Sequence, residues 1–194
     1  MPTQDDRFRE LVVTNPTIRS LIDRLPALSI PDCWITAGAV MQTVWNALDG
    51  QPPTHGIKDY DVFYFDADPS WEAEDRVIRR AAGAFADLGA EIELRNQARV
   101  HLWFDRRNGT SGYPRLTSAR HGIDVFIETP SMFGLHPTGA GAFEVYAPLG
   151  FDDLFGFVHR RNPRAIGPEA HYVAKAARRK ALYPRLTVVP WEGT

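Results

Sequence analysis

Asp59 and Asp61 open an otherwise apolar run, K-D-Y-D-V-F-Y-F-D at 58–66, that reads as a strand entering a core. Carboxylates rarely enter a core unless they are paired or bind a cation. Residues two apart on a strand share a face, ~7 Å apart at their α-carbons from the rise per residue. Two carboxylates so placed can lean onto one Mg²⁺, which takes one or two carboxylates and completes its shell with phosphate oxygens and water. A pair of metal ions about 4 Å apart could clamp both the attacking and leaving oxygens of phosphoryl or nucleotidyl transfer. The plainer alternative is an exposed edge, with the acids paired to Lys58 or Arg99. Asp66 falls on the opposite face and belongs to the next turn.

The segment upstream favours the chemical reading. C-W-I-T at 33–36 reads as a short strand, followed by the small residues Ala37, Gly38 and Ala39. Val40, Met41, Val44, Trp45 and Leu48 then mark one helical face. Small residues allow close approach of a ligand to the backbone, and the first amides of a helix form an anion site. A phosphate cradle followed by a metal-binding pair is more specific than either feature alone.

The remaining pattern supplies the scaffold. Two short helices over 8–25 break at Asn15-Pro16. A helix follows Asp68 as N-cap and Pro69 as first residue, presenting Trp71, Ile78, Ala81, Phe85 and Leu88. Ile92 and Leu94, then Val100, Leu102 and Phe104, alternate with polar residues and read as a hairpin or adjacent strands. Residues 117–128 fit either a strand or a helix. A strand at 143–147 and helices at 152–159 and 168–183 complete an α/β (α+β) chain with a mixed central sheet flanked by helices. The expected organisation is a single domain over 1–194, with a helical C-terminal part at about 151–185.

Bulk properties exclude several classes. Of 194 residues, 44% are hydrophobic, enough for a core, and a net charge of −2 argues against generic nucleic-acid binding. The single cysteine, Cys33, excludes an intramolecular disulfide and a Cys-rich zinc site. The first residues lack signal-peptide character and no apolar run reaches membrane-spanning length. A cytoplasmic protein with no membrane partner is expected.

Four stretches together resemble a bacterial, poorly characterised nucleotidyltransferase family. They are A-G-A-V-M-Q-T-V-W at 37–45, K-D-Y-D-V-F-Y-F-D, N-Q-A-R-V-H-L-W at 96–103 and Y-A-P-L-G-F-D-D-L-F at 146–155. That family lies within the DNA polymerase β-like nucleotidyltransferase superfamily, and the similarity spans roughly residues 30–185. The resemblance implies that Gly38, with Ala37 and Ala39, holds a nucleoside triphosphate, assisted by Lys58 and Arg99. Asp59 and Asp61 would bind catalytic Mg²⁺. It also implies a third carboxylate on a later strand, for which Asp124 in G-I-D-V-F has the local pattern if 117–128 is a strand. If that segment is helical, Asp124 is surface charge; Glu93 and Asp105 are other acids in reach. Gly38-Ala39 departs from the Gly-Gly or Gly-Ser usual in the superfamily, removing a phosphate-contacting hydroxyl.

The expected activity is Mg²⁺-dependent transfer of a nucleoside monophosphate from a nucleoside triphosphate to an acceptor hydroxyl, releasing pyrophosphate. The acceptor is a small molecule, an RNA or a protein side chain. The alternative is a non-catalytic nucleotide-binding or partner-binding protein on the same fold. Lys175, Arg178 and Arg179 form a cationic helical run, with Lys180 and Arg185 nearby, that either receives polyphosphate or an RNA backbone, or faces solvent.

Overall fold

The structure, a computed structural model, describes residues 2–193. Helix α1 (Gln4–Val12) opens on a capping box between Thr3 and Asp6. Asn15 caps α2 (Pro16–Arg24) by accepting from the Thr17 and Ile18 amides, so the Asn-Pro break is a helix restart. Strand β1 (Trp34–Thr36) runs directly into α3 (Ala37–Leu48), and β2 (Asp59–Tyr64) follows. Ser70, rather than Asp68, caps α4 (Trp71–Ala84); Asp68 instead accepts the Ser70 amide at 2.9 Å and tightens the turn before the helix. Trp71, expected on the apolar face, is 58% exposed.

After β3 (Glu91–Asn96) the expected second strand is absent. Residues Gln97–Leu102 form a 3-10 turn and Phe104–Asn108 form α5. Asn96 decides this: its carboxamide oxygen accepts the Ala98 amide, while its nitrogen donates to the Asp66 and Asp68 carbonyls. That bends the chain away from the sheet. Residues 117–128 resolve in favour of a helix, α6 (Ala119–Asp124), capped by Ser118.

Strand β4 (Gly134–Gly139), β5 (Ala142–Tyr146), α7 (Asp152–Phe155), β6 (Val158–His159), α8 (Glu169–Leu182) and β7 (Thr187–Val188) complete the order. The helix expected at 152–159 stops early because Phe157 takes φ 51° and turns the chain into β6.

Among the described residues the main sheet has five strands in the order β3-β2-β1-β4-β5. β2 and β3 run parallel; the other neighbours are antiparallel. β6 and β7 form a separate parallel pair. One sheet face sends Ile35, Tyr60, Val62, Tyr64, Leu94 and Leu135 into the main core with Phe8, Ile18, Val44 and Trp45. On the other face Trp34, Ala119, Ile123 and Met132 make a smaller cluster, flanked by Phe63 and Phe126. Gly134 lets this cluster close, since a β-carbon there would stand 2.8 Å from Trp34 Cε3 and 2.7 Å from Ile123 Cδ1. No helix among the described residues is long and apolar enough to cross a membrane.

Candidate functional site

Along β2 burial alternates: Tyr60, Val62 and Tyr64 are buried, while Asp59, Asp61 and Phe63 are only partly covered. Both acids therefore share the face opposite the main core. The register places Asp61 directly across from Thr36 on β1 and Glu93 on β3. Residues Glu93, Asp61 and Thr36 thus form one row across three strands, with about 5 Å between paired α-carbons.

Thr36 is also the residue from which α3 starts. Its hydroxyl donates to the Phe133 carbonyl, so no side chain caps the helix. Ala37 sits at φ 63°, a left-handed conformation that costs an L-residue roughly 1–2 kcal/mol. Such strain persists where surrounding structure fixes it, and it concentrates at ligand sites. At Gly38 an added β-carbon would be 3.6 Å from Gln42 Oε1 and 3.9 Å from Arg179 Nη2. An uncapped, bent helix start therefore lies one strand away from the paired acids.

Burial, the Asp59 charge and, less strongly, Glu93 push the Asp61 carboxyl up to about 7, against the opposing influence of Lys175 and Arg95. The folded chain therefore keeps the Asp61 proton up to about pH 7, while the unfolded chain releases it near 3.8. Between those limits the folded state holds more protons, so stability falls as pH rises. Asp61→Asn is accordingly expected to raise Tm, with the gain over wild type widening from pH 5 to pH 8. Thermal melts across that range check this; a gain independent of pH contradicts it.

A divalent cation would relieve the same crowding of negative charge. Among the described residues no group of three or more His, Cys, Asp or Glu side chains is placed to hold a metal ion. A pair of oxygen donors with positions left for phosphate and water is how Mg²⁺ is usually taken up, and Asp59 with Asp61 fits it.

The other anticipated residues divide. Arg99 Nε lies 2.7 Å from Glu74 Oε2, with both side chains largely buried. Its guanidinium also donates to the Pro69 carbonyl and covers the Trp71 ring. This arrangement fastens the 3-10 turn to α4. Arg99→Ala is expected to cost about 3 kcal/mol of stability by stranding buried Glu74 while leaving nucleotide affinity unchanged. Urea denaturation and calorimetric titration separate the two effects.

Lys58 is exposed and lies beside Arg178 in a surface groove. Asp124 ends α6, and its Oδ1 accepts from the Tyr146 hydroxyl at 2.7 Å. It sits on a helix, so the strand pattern that suggested a third acid does not hold there. Asp105 accepts from Thr110 Oγ1 and the Tyr113 amide in its own loop. Glu93 is the acid that the sheet puts beside Asp61, where Arg95 holds it at 2.9 Å. A pocket of about 270 Å³ extends from Asp61 and Glu93 toward Trp103, Phe104 and Tyr113, with Lys175 on its wall.

The nucleotidyltransferase family model matches residues 23–188. An NMR structure described as revealing a CCA-adding enzyme head domain is similar over 96% of this chain and 96% of that chain, with TM-score 0.76 and 22% identity. At that identity the likeness is one of fold. No curated protein matches the chain significantly.

Proposed function

The chain belongs to the nucleotidyltransferase family, and from that premise we propose that it moves a nucleoside monophosphate from a nucleoside triphosphate to an acceptor hydroxyl. One observation carries the reading: the row of Glu93, Asp61 and Thr36 sets a carboxylate pair beside the open start of α3. The first amides of α3 seat the phosphates around Gly38, and Ala37 and Ala39 shape the bend. Asp59 and Asp61 hold Mg²⁺. The bound ion supplies charge neutralisation and polarisation of the phosphate oxygens.

In the reaction the acceptor oxygen bonds to the α-phosphorus as its bond to the bridging oxygen breaks, and pyrophosphate leaves. With the leaving phosphates on the α3 side, the acceptor enters from the β3 side, where Glu93 is the carboxylate available to take its proton. Positioning and electrostatics carry the rate. The acceptor group belongs to a small molecule, an RNA end or a protein side chain, and it occupies the pocket beyond Glu93.

A second reading, nucleotide binding without transfer, is favoured by the Glu93–Arg95 pair, which already engages the proposed third acid. Measuring ATP binding and pyrophosphate release with Mg²⁺ in wild type and Asp61→Asn decides between the two. Release by wild type and loss in the variant supports transfer; Mg²⁺-dependent binding without release supports the second. No ATP binding and no release by wild type overturns both. Gly38→Ala has room for its methyl group in the apo fold, so Tm is expected to hold while ATP affinity falls. A drop in Tm with unchanged affinity contradicts the phosphate role of that bend.

A further inference from the structure

Four cationic residues on α8 lie in different settings. Arg178 and Lys180 are exposed, whereas Arg179 is 1% exposed and Lys175 reaches the pocket at Asp61. Residues four apart share a helix face, so Lys175 and Arg179 point the same way, toward the site. Arg179 Nη1 lies 2.5 Å from Glu128 Oε1, and Lys175 Nζ lies 3.5 Å from the same oxygen. Glu128 is itself fully buried and anchored by the Ser131 hydroxyl at 3.0 Å.

One carboxylate therefore serves two cationic side chains, the half-exposed Lys175 and the buried Arg179. Its other neighbour, His159, adds no third positive charge near neutral pH, because burial holds its ionisation down to about 4. Arg179 Nε makes no hydrogen bond among the described residues despite its burial. A buried guanidinium nitrogen without an acceptor is costly and calls for a ligand or a functional reason. The guanidinium also faces Gly38, with Nη2 3.9 Å from where a β-carbon would stand.

We infer that Arg179, steadied by Glu128, is a phosphate-binding residue that closes the anion seat at the start of α3 from the α8 side. This rests on the function proposed above and adds to it a residue 141 positions from Gly38 in the chain (179 − 38). Arginine suits the role because its planar fork can donate to a carboxylate on one edge and a phosphate on the other. Glu128 is a positioning residue: it orients the guanidinium and touches no substrate.

The test is calorimetric titration with tripolyphosphate, ATP and AMP, each with Mg²⁺. Arg179→Lys is expected to weaken tripolyphosphate and ATP by roughly 10–100-fold, the worth of a hydrogen bond to a charged group, and AMP much less. Where the single variant fails to fold, Arg179→Met with Glu128→Gln removes both charges together and takes its place. In wild type, the Arg179 Nε–H resonance is expected to shift on adding tripolyphosphate, a reading that needs no variant. Unchanged tripolyphosphate affinity in the variant, or a static Nε–H resonance in a wild type that binds, overturns the role of Arg179. If Asp61→Asn still abolishes transfer in that case, the proposed function stands without it. Wild type that binds neither ATP nor tripolyphosphate removes both.

Discussion

Asp61→Asn is expected to lower nucleotide transfer by about 10³-fold, the scale seen when one preorganised charged contact to a transition state is removed. The substitution keeps the size of the side chain and removes its ability to carry full negative charge. Asp61 is the member of the pair with Thr36 on one side and Glu93 on the other. Its loss therefore acts at the middle of the proposed reaction line. The same variant is expected to be more stable than wild type above pH 7, because the wild-type Asp61 carboxyl that it replaces is pushed up to about 7 by burial and by Asp59. Gain of stability with loss of rate in one substitution is the pattern of a site whose charge crowding serves a ligand. Steady-state pyrophosphate release beside thermal melts at pH 8 measures both. A variant that is less stable and equally active contradicts the assignment.

Trp45→Ala is expected to produce the largest loss of stability, about 5 kcal/mol, from cavity formation together with a stranded carbonyl. The indole is fully buried, its Nε1–H donates to the Leu154 carbonyl at 2.7 Å, and it stacks on Phe157 with centroids 5.1 Å apart. Tyr183 meets it edge-on. Through this one side chain α3 is fixed to α7 and to the end of α8. Trp45→Phe keeps a ring and loses the donor, so it is expected to cost less than half as much. Urea denaturation gives both numbers. A loss below about 2 kcal/mol for the alanine variant would mean that the neighbouring rings collapse onto the vacancy.

Local chemistry made part of this fold readable in advance. Asn15-Pro16 has both a capping side chain and a residue suited to a first helical turn, and it restarts a helix. Asp59 and Asp61 share a face because strand periodicity leaves no other arrangement. Elsewhere a local pattern pointed the wrong way. Val100, Leu102 and Phe104 alternate like a strand, yet the Asn96 carboxamide draws the chain into a 3-10 turn. Strand β4 carries Gly134, His136 and Pro137 and lacks strand character; pairing with β1 and β5 on either side makes it.

The proposed third acid and the cation at the proposed phosphate seat depend on long-range register. Glu93 stood in an alternating E-I-E-L pattern, but only the parallel pairing of β2 with β3 reveals it as the neighbour of Asp61. Asp124 had apolar flanks that suit a strand, and the Ser118 cap sets a helix there instead. Arg179 lay within a run of similar cations. Distinguishing it required knowing which face of α8 meets Glu128.

The most direct measurement replaces Mg²⁺ with paramagnetic Mn²⁺ and follows backbone amide signals in the presence of a nonhydrolysable ATP analogue. Selective broadening at residues 36–40 and 59–63, lost in the Asp59→Ala, Asp61→Ala double variant, is the predicted result. Broadening centred elsewhere, or unaltered by that double substitution, would contradict the claim that the two aspartates and the helix start form one metal–nucleotide site.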